Sequence, residues 1–583
     1  MVRYGWRTAA LGSLLALAFS AGACKKQRSY GPPAENVYRM VLQAKVTSLD
    51  PHITSDVYSS QSQALAYESL YQFHFLKKGE LIPALAESLP KVSNGGKTWE
   101  IKLKPGVYYQ DDPCFKSNGG KGREVMAADV EYYFRRIADK KYGSPAYSGL
   151  DTLIKGIEDF RQGKASSISG VTVMDKYTAR IDLLKRSPRF IYGFASVHGA
   201  MIPEECVKYY GDDISNHAIG TGPFKIVKYS PVKVEAVRNP SYRQEFYPSG
   251  GMPGDKEKGL LVDAGKQIPF VDKVILEVIE EDQPAWLRFL SGDFEQSRVP
   301  KDSLGATFVN GKPNEEIAKK GIQHFRAPMS DVVVHFFNLE DPVWGKNKDL
   351  RRAFAYARDN AAFIEKIYVG QAITAHTIMS PFEWGYDQHY RSPLQEHNIG
   401  KAKELLAKAG YPGGQGLPEI VYPSNVGATY RQINELLERS LSEAGIKLKA
   451  EPMAWPDFSK RLKEGKYTAI GMGWVGDMPD AETSLPMFHS RAVPPEGQNY
   501  PRYRNKAYDR LIEDIETEDN TPGRYAKIRK AAKMLEDDLV ILPVAHRVGN
   551  QLYHSWVGNA TFVDELFKVP FMKYRRVNTS AAR

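Results

Sequence analysis

A chain of 583 residues, 42% hydrophobic and 25% charged, has ordinary globular composition and enough length for several domains. Its formal net charge is +10, yet the 79 Lys and Arg residues are scattered and not gathered into a basic stripe laced with aromatics, so nucleic-acid binding is not supported. Beyond the amino terminus, no stretch reaches the apolar length needed to span a bilayer.

Arg3 and Arg7 precede an apolar run from Ala9 to Phe19 and the small residues Ser20-Ala-Gly-Ala23, the pattern of a secretory signal over residues 1–23. The run is too short for a spanning helix. Its end, Ala21-Gly22-Ala23-Cys24, resembles the bacterial lipoprotein box, whose cysteine is lipidated and becomes the amino terminus; the usual aliphatic residue is replaced by Ala21. An ordinary cleaved signal with an incidental cysteine is the alternative. Residues 24–36 read as the lipidated cysteine and a flexible polar tether containing Gly31-Pro-Pro33. Only Cys114 and Cys206 remain. In an oxidising exported compartment they either form one disulfide or stay as two buried thiols, and they are too few for a cysteine-rich zinc site.

Residues 37–42 are expected as a strand, followed by the turn Ser48-Leu-Asp-Pro-His52. Residues 59–71 carry Ala64, Tyr67, Leu70 and Tyr71 at helical spacing. Residues 99–103 alternate like a half-buried strand, and 127–137 read as a helix with a Val130/Phe134/Ile137 stripe. Gly220 and Gly222 allow a tight turn, Pro223 starts a strand, and 232–237 alternate as its partner. Helices are expected over 350–359 and 361–369, with Asp359 or Asn360 capping the second, over 401–411 with Gly410 as its stop, and over 523–540. Ile541-Leu-Pro-Val544 reads as a buried strand.

Ser48-Leu-Asp-Pro-His52, Pro83-Ala-Leu-Ala-Glu87, Met126-Ala-Ala-Asp-Val130, Ile219-Gly-Thr-Gly-Pro-Phe224, Arg238-Asn-Pro-Ser-Tyr242, the helix from Leu350 to Asp359 and Lys401-Ala-Lys-Glu-Leu-Leu-Ala-Lys-Ala-Gly-Tyr411 occur in an order that resembles the peptide/nickel-type solute-binding proteins of ABC importers. The likeness covers most of residues 37–560, with Asp111 to Arg123 and Tyr242 to Phe270 departing from it. It implies a two-lobed α/β periplasmic-binding-protein fold of the large cluster, with an extra inserted subdomain and a cleft that closes by a hinge. On that template residues 37–80, 215–330 and 543–583 build lobe I, 81–214 the inserted subdomain, and 331–542 lobe II.

The stretch Tyr467-Thr-Ala-Ile-Gly-Met-Gly-Trp474-Val-Gly-Asp477-Met-Pro-Asp480 stands out. A strand-prone start is expected to break into glycines and present an indole face beside a carboxylate, which suits an organic cation such as a peptide amino terminus. In peptide-binding members of the family an aspartate after G-W-x-x-D pairs with the ligand's α-ammonium, which the resemblance carries to Asp477, with Trp474 lining a side-chain pocket. Asn499 and the segment Val57-Tyr58 are further ligand-binding candidates. The literal G-x-G-x-x-G of Gly471, Gly473 and Gly476 is not followed by a helix, so a dinucleotide site is rejected. Asp480 reads as a turn residue, and Asp111-Asp112 as a solvated loop.

No H-E-x-x-H, G-x-S-x-G or phosphate-loop motif is present, the twelve histidines are dispersed, and no cofactor or metal is called for. The expectation is a monomeric, lipid-anchored binding protein of the periplasm or cell surface, not an enzyme. It captures a di- or oligopeptide and delivers it to an ABC permease and ATPase complex. The alternatives are a secreted hydrolase on an α/β fold, and a peptide-holding chaperone or receptor with the same fold.

Overall fold

The computed structural model describes residues 30–54, 56–77, 79–147, 150–309, 311–476, 478–494, 497–562 and 571–580. Cys24 and the signal expected over 1–23 lie outside the described residues. The described chain is a two-lobed α/β structure with separate hydrophobic cores in each part.

Lobe I is built on a four-stranded sheet in the order Val37–Leu42, Lys273–Val278, Lys233–Arg238, Phe224–Ser230, the first pair parallel and the others antiparallel. Tyr38, Met40, Leu42, Phe224, Val234 and Leu276 cover its inner face, and the carboxyl-terminal Tyr553, Trp556, Phe571 and Tyr574 join the same cluster. The first and last parts of the chain therefore share one core.

A second four-stranded sheet, Lys91–Ser93, Thr98–Lys102, Thr178–Asp182, Val171–Val173, carries the helix Ala127–Ala138. Val130, Phe134 and Ile137 are fully buried on it, as the stripe requires, and the Met126 amide donates to Asp129 Oδ2 at 2.8 Å to cap the first turn. This subdomain is pinned to lobe I by the Ser48–His52 turn. Asp50 accepts from both Nη atoms of the buried Arg136 at 2.9 and 2.6 Å. Burial alone would raise the Asp50 carboxyl, but the Arg136 pair brings it below its ordinary value. Cys114 and Cys206, 92 residues apart, form a disulfide with 4.9 Å between their Cα atoms.

The helix expected over 59–71 is shorter and starts earlier, at Val57–Gln63. Its continuation is taken by the Gly220–Phe224 turn: the Gly222 amide donates to Ala66 O at 2.8 Å and the Phe224 amide to Leu65 O at 3.0 Å. A Cβ on Gly222 would sit 2.6 Å from the Ala66 carbonyl carbon, so glycine is what lets the two backbones meet.

Lobe II is organised on Asp331–Phe337, which pairs antiparallel with Ala469–Val475 on one side and with the long strand Ile541–Tyr553 on the other. Residues alternate between two cores. Phe337, Ala469 and Leu542 face the helices Lys348–Ala357 and Ala428–Ser442, whereas Phe336, Ile470 and Ile541 face Lys506–Thr517 and Pro522–Asp537. Asp359 caps the helix Asn360–Tyr368 through the Ala362 amide at 2.9 Å. The strand Ile541–Tyr553 runs through both lobes: up to Arg547 its partners are Asp331–Phe337 and Ala372–Thr374, and from Val548 they are Gln323–Pro328 and Gln296–Arg298. The boundary expected at 542/543 falls inside this strand, ahead of the point where its partners change.

Candidate functional site

Ala469–Val475 is the terminal strand of its sheet, and it continues through Gly471 and Gly473 instead of breaking there. The glycine at 471 is a packing requirement. A Cβ there would lie 2.2 Å from Tyr422 Oη, which is buried and bonded to His335 Nδ1 at 3.1 Å. Trp474 faces Val332 across the pairing and is half-buried against the lobe II core. Its indole N–H donates to the Thr483 carbonyl at 3.0 Å, which folds the following loop back onto the strand. The Gly476 amide donates to Ser330 O at 2.8 Å, so the segment leaves the sheet where the chain crosses between lobes. Asp477 itself lies outside the described residues.

Asp480 has a larger role than a turn. Its carboxylate caps the Glu482 amide at 3.0 Å and accepts from Arg524 Nη1 and Nη2 at 2.8 and 2.7 Å, with both side chains fully buried. Glu482 Oε1 lies 2.9 Å from Arg524 Nη2 and 2.5 Å from Arg189 Nη2, the latter reaching over from the subdomain. Burial lifts the Glu482 carboxyl to about 7, although both guanidiniums pull it down. Beside them Glu383 is buried against the Ser380 amide at 3.0 Å and Ser484 Oγ at 3.3 Å. Burial, reinforced by the Asp480 charge, pushes it to about 8, so it carries its proton at neutral pH.

Asn499 is fully buried, and its carboxamide is spent on its own loop. Nδ2 donates to the carbonyls of Phe488, His489 and Tyr503 at 3.2, 3.1 and 2.9 Å, and Oδ1 accepts from the Tyr503 amide at 3.0 Å. These bonds close the loop around it. Val57 and Tyr58 open the short lobe I helix, whose cap Asp56 accepts from the Ser59 amide at 2.7 Å. Tyr58 lines a cavity of about 230 Å³ with Met40, Gln61, Asp282, Gln296 and Gln551. Trp474 and the Val57-Tyr58 pair thus belong to opposite lobes, while Asn499 sits inside lobe II.

Sequence reasoning missed the interlobe contacts. Phe73 stacks on Tyr192 with ring centroids 6.1 Å apart, and Tyr192 meets the lobe II ring of Trp384 at 5.9 Å. Gly79 lies against Pro479, where a Cβ would come within 2.9 Å of the proline ring.

Residues 80–494 match the family described as bacterial extracellular solute-binding proteins, family 5 Middle. The chain is 25% identical over 506 residues to the Heme-binding protein A of Haemophilus influenzae, covering 84% of this chain and 83% of that protein. It is 24% identical over 514 residues to the Dipeptide-binding protein of Escherichia coli K12, covering 85% and 86%. Its fold is similar to that of an ABC transporter-associated periplasmic binding protein, DppA, from Helicobacter pylori in complex with the peptide STSA, with a TM-score of 0.70 at 22% identity over 94% of this chain and 99% of the other. The chain belongs to the bacterial extracellular solute-binding proteins of family 5, which are binding proteins and not enzymes.

Proposed function

We propose that the chain is the peptide-capturing component of an ABC importer, exported by residues 1–23, anchored by lipid at Cys24 and closing by a hinge over di- or oligopeptides that it hands to a membrane permease. The observation that carries this reading is the strand Ala469–Val475. It ends the lobe II sheet, so its outer edge offers backbone groups that an extended peptide pairs with as an added strand. Trp474 adds an aromatic surface whose N–H is already satisfied, and Asp477, two residues beyond the strand, supplies the carboxylate for the ligand's ammonium. The three lobe I segments over 37–80, 215–330 and 543–583 form the opposite wall. Two of the three similar proteins described above carry peptide in their names or bound to them, which supports the same ligand class.

The test is calorimetry with tri-alanine. Asp477→Asn is expected to weaken binding by ~2–5 kcal/mol, because the ligand ammonium loses its buried counter-charge. Equal affinity for the two proteins discards the peptide assignment. Haem is the second reading, favoured by the likeness to Heme-binding protein A; it requires the protein as purified to show a tetrapyrrole absorption band.

A further inference from the structure

The loop after the strand Thr178–Asp182 crosses from the subdomain to lobe II with three cations. Lys185 Nζ reaches Glu516 Oε2 at 3.0 Å, Arg186 reaches the Thr517 carbonyl at 2.7 Å and Asp519 Oδ2 at 2.5 Å, and Arg189 reaches the carbonyls of Ile515, Glu516 and Glu518 at 2.8, 3.0 and 2.5 Å. These carbonyls are the carboxyl end of the helix Lys506–Thr517, which has no basic residue in its own last turn. A helix end normally finds cations or water for those orphan acceptors. Here the cations come from the other lobe, more than 320 residues away in sequence.

The clamp is wired to the ligand segment. Arg189 also pairs with Glu482 Oε1, the same atom that Arg524 holds from within lobe II, and Arg524 Nε shares the Ile515 carbonyl at 3.0 Å. Glu482 follows Asp480 in the loop that Trp474 draws back through Thr483. Arg524 holds the receiving surface from inside lobe II, and Arg189 reaches the same surface from the subdomain. Arg189 is 4% exposed, so this contact takes its guanidinium out of water and replaces the water with lobe II acceptors.

We propose that Arg189, assisted by Arg186 and Lys185, is the positioning residue of the ligand site: it locks the Asp480–Glu482 turn from across the cleft and sets how long the closed form holds its ligand. This rests on the two-lobe capture proposed above but not on the ligand being a peptide.

The experiment measures release of tri-alanine by stopped-flow tryptophan fluorescence, together with the radius of gyration from small-angle scattering, for the wild type, Arg189→Met, Arg189→Lys and the double variant Lys185→Gln/Arg186→Gln. Arg189→Met should release at least about tenfold faster with association nearly unchanged, and Arg189→Lys should recover part of the loss. The double variant, altered only at side chains with 41% and 37% exposure, should fold normally and lose most of the NaCl dependence of release. Wild-type release rates and salt dependence in all three variants would overturn the proposal. A wild type that binds no tri-alanine removes the peptide reading instead. The clamp is then judged on scattering of the ligand-free proteins, where Arg189→Met must be more expanded than the wild type and an identical radius refutes it.

Discussion

A carboxylate deprived of water has to be paired or protonated, and lobe II contains both kinds. Asp480 is paired. Because Arg524 is fully buried with it, Asp480→Asn should leave the guanidinium with Glu482 as its carboxylate partner and cost about 1–3 kcal/mol, read from the urea unfolding midpoint. Glu383 is protonated, its pKa raised to about 8 by burial and the nearby Asp480. Between the ordinary glutamate range and pH 8 it is ionised in the unfolded chain but not in the folded one, so its contribution to stability is present at low pH and is lost as pH rises through 8. Glu383→Gln should therefore flatten the stability profile between pH 5 and 8 and be relatively more stable than the wild type at pH 9 than at pH 5, by urea titration at each pH. At this scale the sequence was half legible. The local role of Asp480 as a turn former is visible from the Pro479 beside it, but its partner is 44 residues further on. Asn499 looked available for the same reason: nothing in Gln-Asn-Tyr-Pro reveals that three carbonyls already occupy its amide.

Elements were legible where one periodicity decided them. The Val130/Phe134/Ile137 stripe and the Asp359 cap sit where spacing and capping chemistry put them. Two elements went differently because a neighbour competed for their backbone or their space. Residues 64–71 have helical spacing, yet Leu65 and Ala66 give their carbonyls to the glycine turn at 220–224. The glycines at 471 and 473 looked like a break, yet Gly471 is where the strand makes room for Tyr422. Gly471→Ala should push the added methyl into that buried hydroxyl and destabilise by about 1–3 kcal/mol, measured as a lower Tm. Asp56→Ala should cost about 1 kcal/mol by removing the cap of Val57–Gln63, measured by denaturant titration.

At the scale of the molecule, topology was outside the reach of local pattern. Spacing identifies Ile541-Leu-Pro-Val544 as buried strand, but only pairing shows that the strand runs to Tyr553 and trades lobe II partners for lobe I partners after Arg547. The disulfide was likewise one of two open readings until Cys114 and Cys206 were brought together. Closing a loop of 92 residues, it should contribute about 2–5 kcal/mol, so a reductant should lower the urea midpoint accordingly. The proposed capture of a small guest needs two lobes joined by a crossing strand, a strand edge on one and the Arg189 contacts from the other. Native mass spectrometry of the protein as purified from the exported fraction tests that most directly. The expected result is mass increments that fragment as short peptides and disappear in Asp477→Asn. A single tetrapyrrole mass, or a bare chain that also takes up no added peptide, would contradict it.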